Sequence, residues 1–283
     1  MTTTPPAPPK NRTLAKPATV RKAKSPLGTY GPPILVALAI IAIWYFVSYV
    51  VLDAQRRFLL PPPHELFTQA FFKGDVISDI MVALGRTAIV ALVGLAIAIV
   101  IGVLWAIAMS QARWVERSLF PYAVILQCIP ILALVPLIGF WFGFDYPARI
   151  IVCVLISLFP MVSNTLFGLQ SVDKGQRELF QLQKASRWTV LTKLELPAAL
   201  PAIFAGMRIS AGLSVIGAIV GDYFFRRGEP GLGSLISNYQ SRVQSAELFA
   251  AIIVACLFGV LIFALFGWIG KRVVGKWYDF SAN

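Results

Sequence analysis

The chain has 283 residues, 58% of them hydrophobic and 13% charged, with a mean hydropathy of +0.75 and a formal net charge of +12. Soluble domains carry about 45–50% apolar and about 25% charged residues, so an ordinary soluble enzyme is excluded. A nucleic-acid binder would be basic but not this apolar, whereas an anionic membrane surface accounts for both properties together.

Residues Met1 to about Lys24 are rich in Thr, Pro, Ala and Lys and lack the apolar content of a packed core. Residues 1–31 are therefore expected to form a disordered, basic cytoplasmic tail. The apolar stretch that follows is too long for a cleavable signal peptide and has no small-residue cleavage site after it, so it reads as a signal anchor. Runs free of ionisable residues set the spans, because a helix needs ~20 residues to cross a core of ~30 Å. Pro32–Leu52, Thr87–Ala112, Ser118–Phe144, Ile150–Val172 and Leu248–Gly270 are each long enough. A further span, fifth in chain order, is placed over Pro201–Phe225, although its uncharged centre Ile209–Gly221 gives only ~20 Å of helix. That span must carry Arg208 near one end, where it can snorkel, and Asp222 near the other. An ionised group at the bilayer centre costs ~2.5–3.5 kcal/mol, so Asp222 needs water or a cation, for which Arg226 and Arg227 are the candidates.

Lys and Arg placement orients the spans. With the amino terminus inside, the inner segments hold Lys10, Arg12, Lys16, Arg21, Lys22 and Lys24, then Arg113 and Arg117, then Lys174, Arg177, Lys184, Arg187 and Lys193, then Lys271, Arg272 and Lys276. The outer segments hold the smaller set Arg56, Arg57, Lys73, Arg149, Arg226, Arg227 and Arg242. Both termini of this multi-pass membrane protein are thus expected in the cytoplasm. Two outer connections carry helix-spaced apolar residues: Leu66, Phe67, Ala70 and Phe71 after Pro61-Pro62-Pro63, and Leu232, Leu235, Ile236, Tyr239 and Val243 after Gly228–Gly233. Short amphipathic helices at the outer interface, covering the bundle or gating it, explain both.

The expected fold is all-α: a polytopic membrane protein with six transmembrane helices over 32–276, an inner loop over 171–200 and a short cytoplasmic tail over 277–283. Cys128, Cys153 and Cys256 lie inside apolar runs as small buried hydrophobes, without the spacing of a disulfide scaffold or zinc site. With His64 as the one histidine, no metal site and no catalytic constellation is expected.

The inner loop is polar and basic yet holds Leu179, Phe180, Leu182, Trp188, Leu191 and Leu194 at helical spacing. That stripe packs either on the transmembrane ends of its own chain or in the groove of a soluble partner. Leu196-Pro197-Ala198-Ala199-Leu200-Pro201 is then expected to break the helix twice, since proline has no N–H to donate. At this loop, Glu178, Ala185-Ser186-Arg187-Trp188, the Leu196–Pro201 stretch and Gly206-Met207-Arg208-Ile209 resemble the EAA loop of ABC importer permeases, most closely the nitrate/sulfonate/taurine subfamily. Leu60-Pro61-Pro62-Pro63, Trp141-Phe142-Gly143-Phe144 and Gly168–Asp173 fit the same pattern, and the similarity runs from about Pro32 to Lys276. The chain departs from it at Leu179 and Phe180, where the motif has alanines, and at Lys184, where it has a glycine whose backbone freedom lysine lacks.

The resemblance implies a permease whose cytoplasmic loop couples to ABC ATPase subunits through Glu178, Leu179, Phe180, Lys184, Ala185, Ser186, Arg187 and Trp188. It also implies a homodimer of permeases in the lipid bilayer, an extracytoplasmic solute-binding protein, and no cofactor on this chain, ATP and Mg being bound by the partner subunit. The chain itself has no GxxxxGK[ST] phosphate loop, since Gly270-Lys271 lacks the earlier glycine and the Ser/Thr. Small residues recur every fourth position at Gly94, Ala98 and Gly102, and at Ala202, Gly206, Ser210, Ser214 and Ala218, which suits close helix packing. The second row winds around its helix, so one end is free to face a cavity. Gln127, Ser163, Asn164, Ser210, Ser214 and Asp222 are the candidates for a translocation path, with interhelical hydrogen bonding as their simpler role.

A secondary transporter or channel driven by an ion gradient is the alternative, but neither internal repeats nor mid-membrane charges support it. The solute expected from the resemblance is nitrate, a sulfonate, taurine or an aromatic vitamin precursor. The stretch Ser214–Phe225 looks more like the aromatic branch, and an acid at the outer mouth fits poorly with a small anion.

Overall fold

A computed structural model describes residues 26–225 and 228–275, so the expectations for the tails at 1–25 and 276–283, and for Arg226 and Arg227, lie outside the described residues. The elements are α1 (Pro26–Phe46), α2 (Pro63–Leu66), α3 (Gly74–Ser110), α4 (Arg113–Cys128), α5 (Ile131–Phe142), α6 (Tyr146–Gln170), α7 (Lys174–Leu182), α8 (Arg187–Val190), α9 (Leu196–Phe224), α10 (Leu232–Ser241) and α11 (Ser245–Val274). No strand occurs among the described residues. The all-α polytopic fold is as expected, and five helical segments are long and apolar enough to cross a bilayer.

The third expected span departs from a rod. It is the pair α4 and α5, bent by 96°, which makes six spans if the pair crosses as one. Pro130 is the cause: it has no N–H for the helix, and it pushes Ile129 out of the α region to φ −64, ψ 125. Gly143, at φ +82, then ends α5 in a conformation that side chains other than glycine rarely adopt. Helix α1 begins at Pro26, ahead of the expected boundary at Pro32. The expected double break before span five is absent as well. Helical structure runs on from Arg187 to Phe224. A wide π-turn at Leu191–Glu195 makes room for the ring of Pro197, which occupies the first turn of α9.

The core is a seam between antiparallel α6 and α9. A Cβ on Gly217 would come within 2.8 Å of the Cys153 Cα, one on Gly206 within 2.9 Å of the Asn164 Cβ, and one on Gly168 within 2.8 Å of the Ala202 Cβ. These contacts hold one register along the seam, so the two backbones approach as closely as small residues allow. The row on span five therefore packs along its whole length instead of turning toward a cavity: Gly206, Ser210, Ser214 and Ala218 are buried and Ala202 is half-buried. Helix α3 packs against both α6 and α9, with Gly94 against Cys153 and Gly102 against Met161.

At the end of the bundle opposite the 171–200 loop, α10 buries Leu232 and Tyr239 in a cluster with Ile80 and Ala250, while Val243 stays exposed at φ +59. The segment from Pro63 to Phe71 buries Leu66 and Ala70 and leaves Phe67 exposed. Both outer helices thus cover the bundle end. Helix α1 is peripheral, tied by Trp44 Nε1 to the Pro61 carbonyl (3.0 Å), and the turn that follows it is held by Ser48 Oγ to the Leu60 carbonyl (2.9 Å). His64 stacks with Tyr45 and Tyr49 beside it.

Candidate functional site

The inner loop forms a helical hairpin standing off the bundle. Asp173 caps α7 by accepting from Gly175 N (3.3 Å), and Ser186 caps α8 by accepting from Thr189 N (3.2 Å). Between them, Ala185 N donates to the Phe180 carbonyl (3.0 Å) and Lys184 N to the Gln181 carbonyl (2.9 Å). This is the paired-bond helix ending that calls for a left-handed residue, and Lys184 supplies it at φ +50. The departure noted at this position therefore falls where glycine would be the unstrained choice.

The apolar stripe divides. Leu191 is buried against the membrane helices, in a cluster with Leu158, Leu166 and Ile203. Leu179 (53% exposed), Leu182 (82%) and Trp188 (71%) face away from the bundle, and α7 buries nothing. Glu178, Lys184, Ser186 and Arg187 are exposed on the same hairpin, with Phe180 and Ala185 half-buried. Three contacts, made by two arginines, bolt the hairpin down, and sequence reasoning did not find them. Arg177 pairs with Glu195 at the root of α9 (3.1 Å) and donates to the Leu169 carbonyl at the end of α6 (3.0 Å). Arg187 donates to the Gln111 carbonyl (3.0 Å), at the turn between α3 and α4. The hairpin is thus attached to α3, α6 and α9 while its apolar tip is free.

At the opposite end a buried polar cluster joins the same three helices. Asp222 of α9 and Arg149 of α6 are both 0% exposed and lie 3.0 Å apart (Oδ1 to Nη1). Thr87 of α3 donates to Asp222 Oδ2 (2.5 Å) and accepts from Leu232 N (2.8 Å). Arg149 also donates to the carbonyls of Glu229 (2.9 Å) and Phe225 (3.1 Å), and Ser234 Oγ donates to the Asp222 carbonyl (2.7 Å). At the rim, Arg86 pairs with Glu229 (2.8 Å). The cation that meets Asp222 is therefore Arg149, assigned to an outer loop by the sequence reading. A signal existed: in antiparallel spans four and five, both residues fall at the outer end.

The other candidate path residues fall into two groups. Ser210 donates to the Ser157 carbonyl across the seam (2.7 Å) and Ser214 to the Ala211 carbonyl in its own helix (2.9 Å), so both hydroxyls are engaged inside protein. Asn164 and Ser163 are half-buried and reach back to the Pro160 carbonyl (2.8 and 3.4 Å). Gln127 is exposed at the α4–α5 bend and lines a cavity of ≈ 230 Å³ with Leu155, Phe159 and Leu213. The geometry brings Arg149, Asp222 and Thr87 together and leaves Gln127 some distance along the chain fold, in a separate cavity.

Comparison with known proteins follows the same outline. Residues 98–275 match the family described as the binding-protein-dependent transport system inner membrane component. The chain is 32% identical to the formylaminopyrimidine transport permease protein ThiX of Halalkalibacterium halodurans, over 82% of this chain and 90% of that protein. It is 32% identical to the riboflavin transport system permease protein RibX of Chloroflexus aurantiacus, over 59% and 62%. It is 31% identical to the putative aliphatic sulfonates transport permease protein SsuC of Escherichia coli strain K12, over 81% and 85%.

Proposed function

Because the chain belongs to the family of binding-protein-dependent transport system inner membrane components, we propose that two copies of it form the solute path of an ATP-driven importer. It is a permease and not an enzyme; ATP and Mg are held and turned over by separate ABC ATPase subunits on the cytoplasmic face. Both termini lie in the cytoplasm of a bacterial inner membrane, and an extracytoplasmic binding protein delivers solute to the end covered by α2 and α10.

The observation that carries this reading is the hairpin: large apolar side chains, Leu182 and Trp188 above all, stand exposed on a tip with polar surroundings. Such a tip fits the groove of a soluble partner. Closure of the ATPases around ATP pushes on Leu179, Leu182 and Trp188, and the Arg177–Glu195 and Arg187–Gln111 contacts pass that motion to α9 and to the α3–α4 turn. Gln127, Ser163 and Asn164 are the path candidates with side chains still reachable, whereas Ser210, Ser214 and Asp222 shape the path from within the packing.

The solute is a small heteroaromatic compound, the chemistry of the formylaminopyrimidine and riboflavin named for two of those relatives, with a nitrate-, sulfonate- or taurine-like anion as the competing class. The acid at position 222 no longer argues against an anion, because Arg149 neutralises it. Ligand binding to the partner binding protein distinguishes the two classes. For the coupling reading, Leu182→Asp with Trp188→Asp should abolish copurification of the ATPase while the permease still reaches the membrane. Arg187→Gln and Glu178→Gln should leave ATP hydrolysis running without matched uptake. Solute movement by the chain alone in vesicles, without ATP, would overturn it.

A further inference from the structure

We propose that the cleft between α9 and α11 holds one anionic phospholipid, its phosphate between Arg208 and Lys271 and an acyl chain along the groove beyond them. Phe204, Arg208, Phe263, Gly267 and Lys271 line a cavity of ≈ 390 Å³. The Arg208 guanidinium lies 4.1 Å over the Phe263 ring, and Gly267 leaves it room, since a Cβ there would come within 3.1 Å of Nε. Among the described residues neither Arg208 nor Lys271 has an ion-pair partner, and no carboxylate lines the cavity.

Depth fixes the kind of anion. Lys271 and Arg272 end α11, with Arg272 stacked on Trp268 (4.8 Å), the pairing of cation and aromatic ring that marks a membrane–water interface. Gly267, and Arg208 beside it, lie one helical turn (~6 Å) further in. A cation at that depth is best met by a lipid phosphate, and basic pockets between transmembrane helices are suited to such headgroups.

A second, apolar groove of ≈ 720 Å³ continues from this cavity, sharing Ile209 and Phe263 with it. Gly212, Ala255 and Gly259 keep it open; a Cβ on Gly212 or Gly259 would still be 3.8 Å from its nearest neighbour. From Phe263 to Ile252 the groove spans ~16 Å of α11, about one leaflet of a ~30 Å core. A phosphate site opening into an apolar trough of leaflet length suits a phospholipid and not free phosphate. A second copy meeting this cleft face to face would set the same cations against each other.

The test uses the purified full-length chain in phosphatidylcholine nanodiscs containing phosphatidylglycerol with a photoreactive acyl chain. Cross-links should concentrate on Ile209–Ile219 of α9 and Ile252–Phe263 of α11, and photoreactive phosphatidylcholine should give about tenfold fewer there. Arg208→Gln with Lys271→Gln should lower the phosphatidylglycerol yield about tenfold, and Gly259→Leu should displace the chain by filling the groove. Millimolar inorganic phosphate should leave the yield unchanged. Equal yields from both lipids, cross-links spread evenly over α1 and α4, displacement by free phosphate, or cross-links from the groove to a second copy would each overturn the assignment.

Discussion

Removing one partner of the Arg149–Asp222 pair should cost more than any other single polar change in the chain. In Arg149→Met, the Asp222 carboxylate keeps Thr87 but loses its cation, and the carbonyls of Phe225 and Glu229 lose their donor. Asp222 and Thr87 have no exposure and Phe225 almost none, so water cannot compensate there. Breaking a buried pair from one side costs ~3–5 kcal/mol, because a charge is left without a partner. At ~2–4 °C per kcal/mol for a chain approaching this size, melting should fall by roughly 6–20 °C. Asp222→Leu alone should be similarly damaging, whereas Arg149→Met with Asp222→Leu should recover much of the loss, since replacing both charges removes the desolvation cost. Tryptophan-detected melting of the purified protein in detergent measures all three. If Arg149→Met melts within ~2 °C of the parent, or the double variant falls by the sum of the singles, the pair does not hold α6 and α9 together at this end.

Lys184→Gly should stabilise the end of α7 by about 1 kcal/mol, the cost of a left-handed conformation in a residue with a Cβ. Amide exchange at positions 184 and 185 should slow by about fivefold, and unchanged or faster exchange would contradict the assigned turn. Gly217→Val should open the seam between α6 and α9, because the new Cβ meets the Cys153 backbone, which cannot rotate away. The cost is ~1–3 kcal/mol or more by overpacking, read as a lower melting temperature. Gly85→Ala, on the same assay, should be neutral or slightly stabilising, since open space surrounds it.

Much of the architecture was legible in local composition. Transfer of apolar residues into lipid is close to additive along the chain, so the runs Thr87–Ala112, Ile150–Val172 and Leu248–Gly270 are visible without knowing any neighbour. The stripe Leu179–Trp188 was also readable, because a helical face is a local property, and the lysine at 184 stood out against the glycine of the motif that the loop resembles. The bend at Pro130 could have been read from Ile129-Pro130, but the length of the apolar run masked it.

What sequence alone could not decide is which helix lies beside which. Spacing announced that Gly206, Ser210 and Ala218 would allow close approach, yet only the folded chain made α6 the partner and set Gly217 against Cys153. The same choice of neighbour brought Arg149 to Asp222 across 73 residues, where reading along the chain pointed to Arg226 and Arg227. Hydropathy is a sum over single residues, whereas a buried ion pair depends on the distance between two of them, and that distance exists only once the bundle has packed.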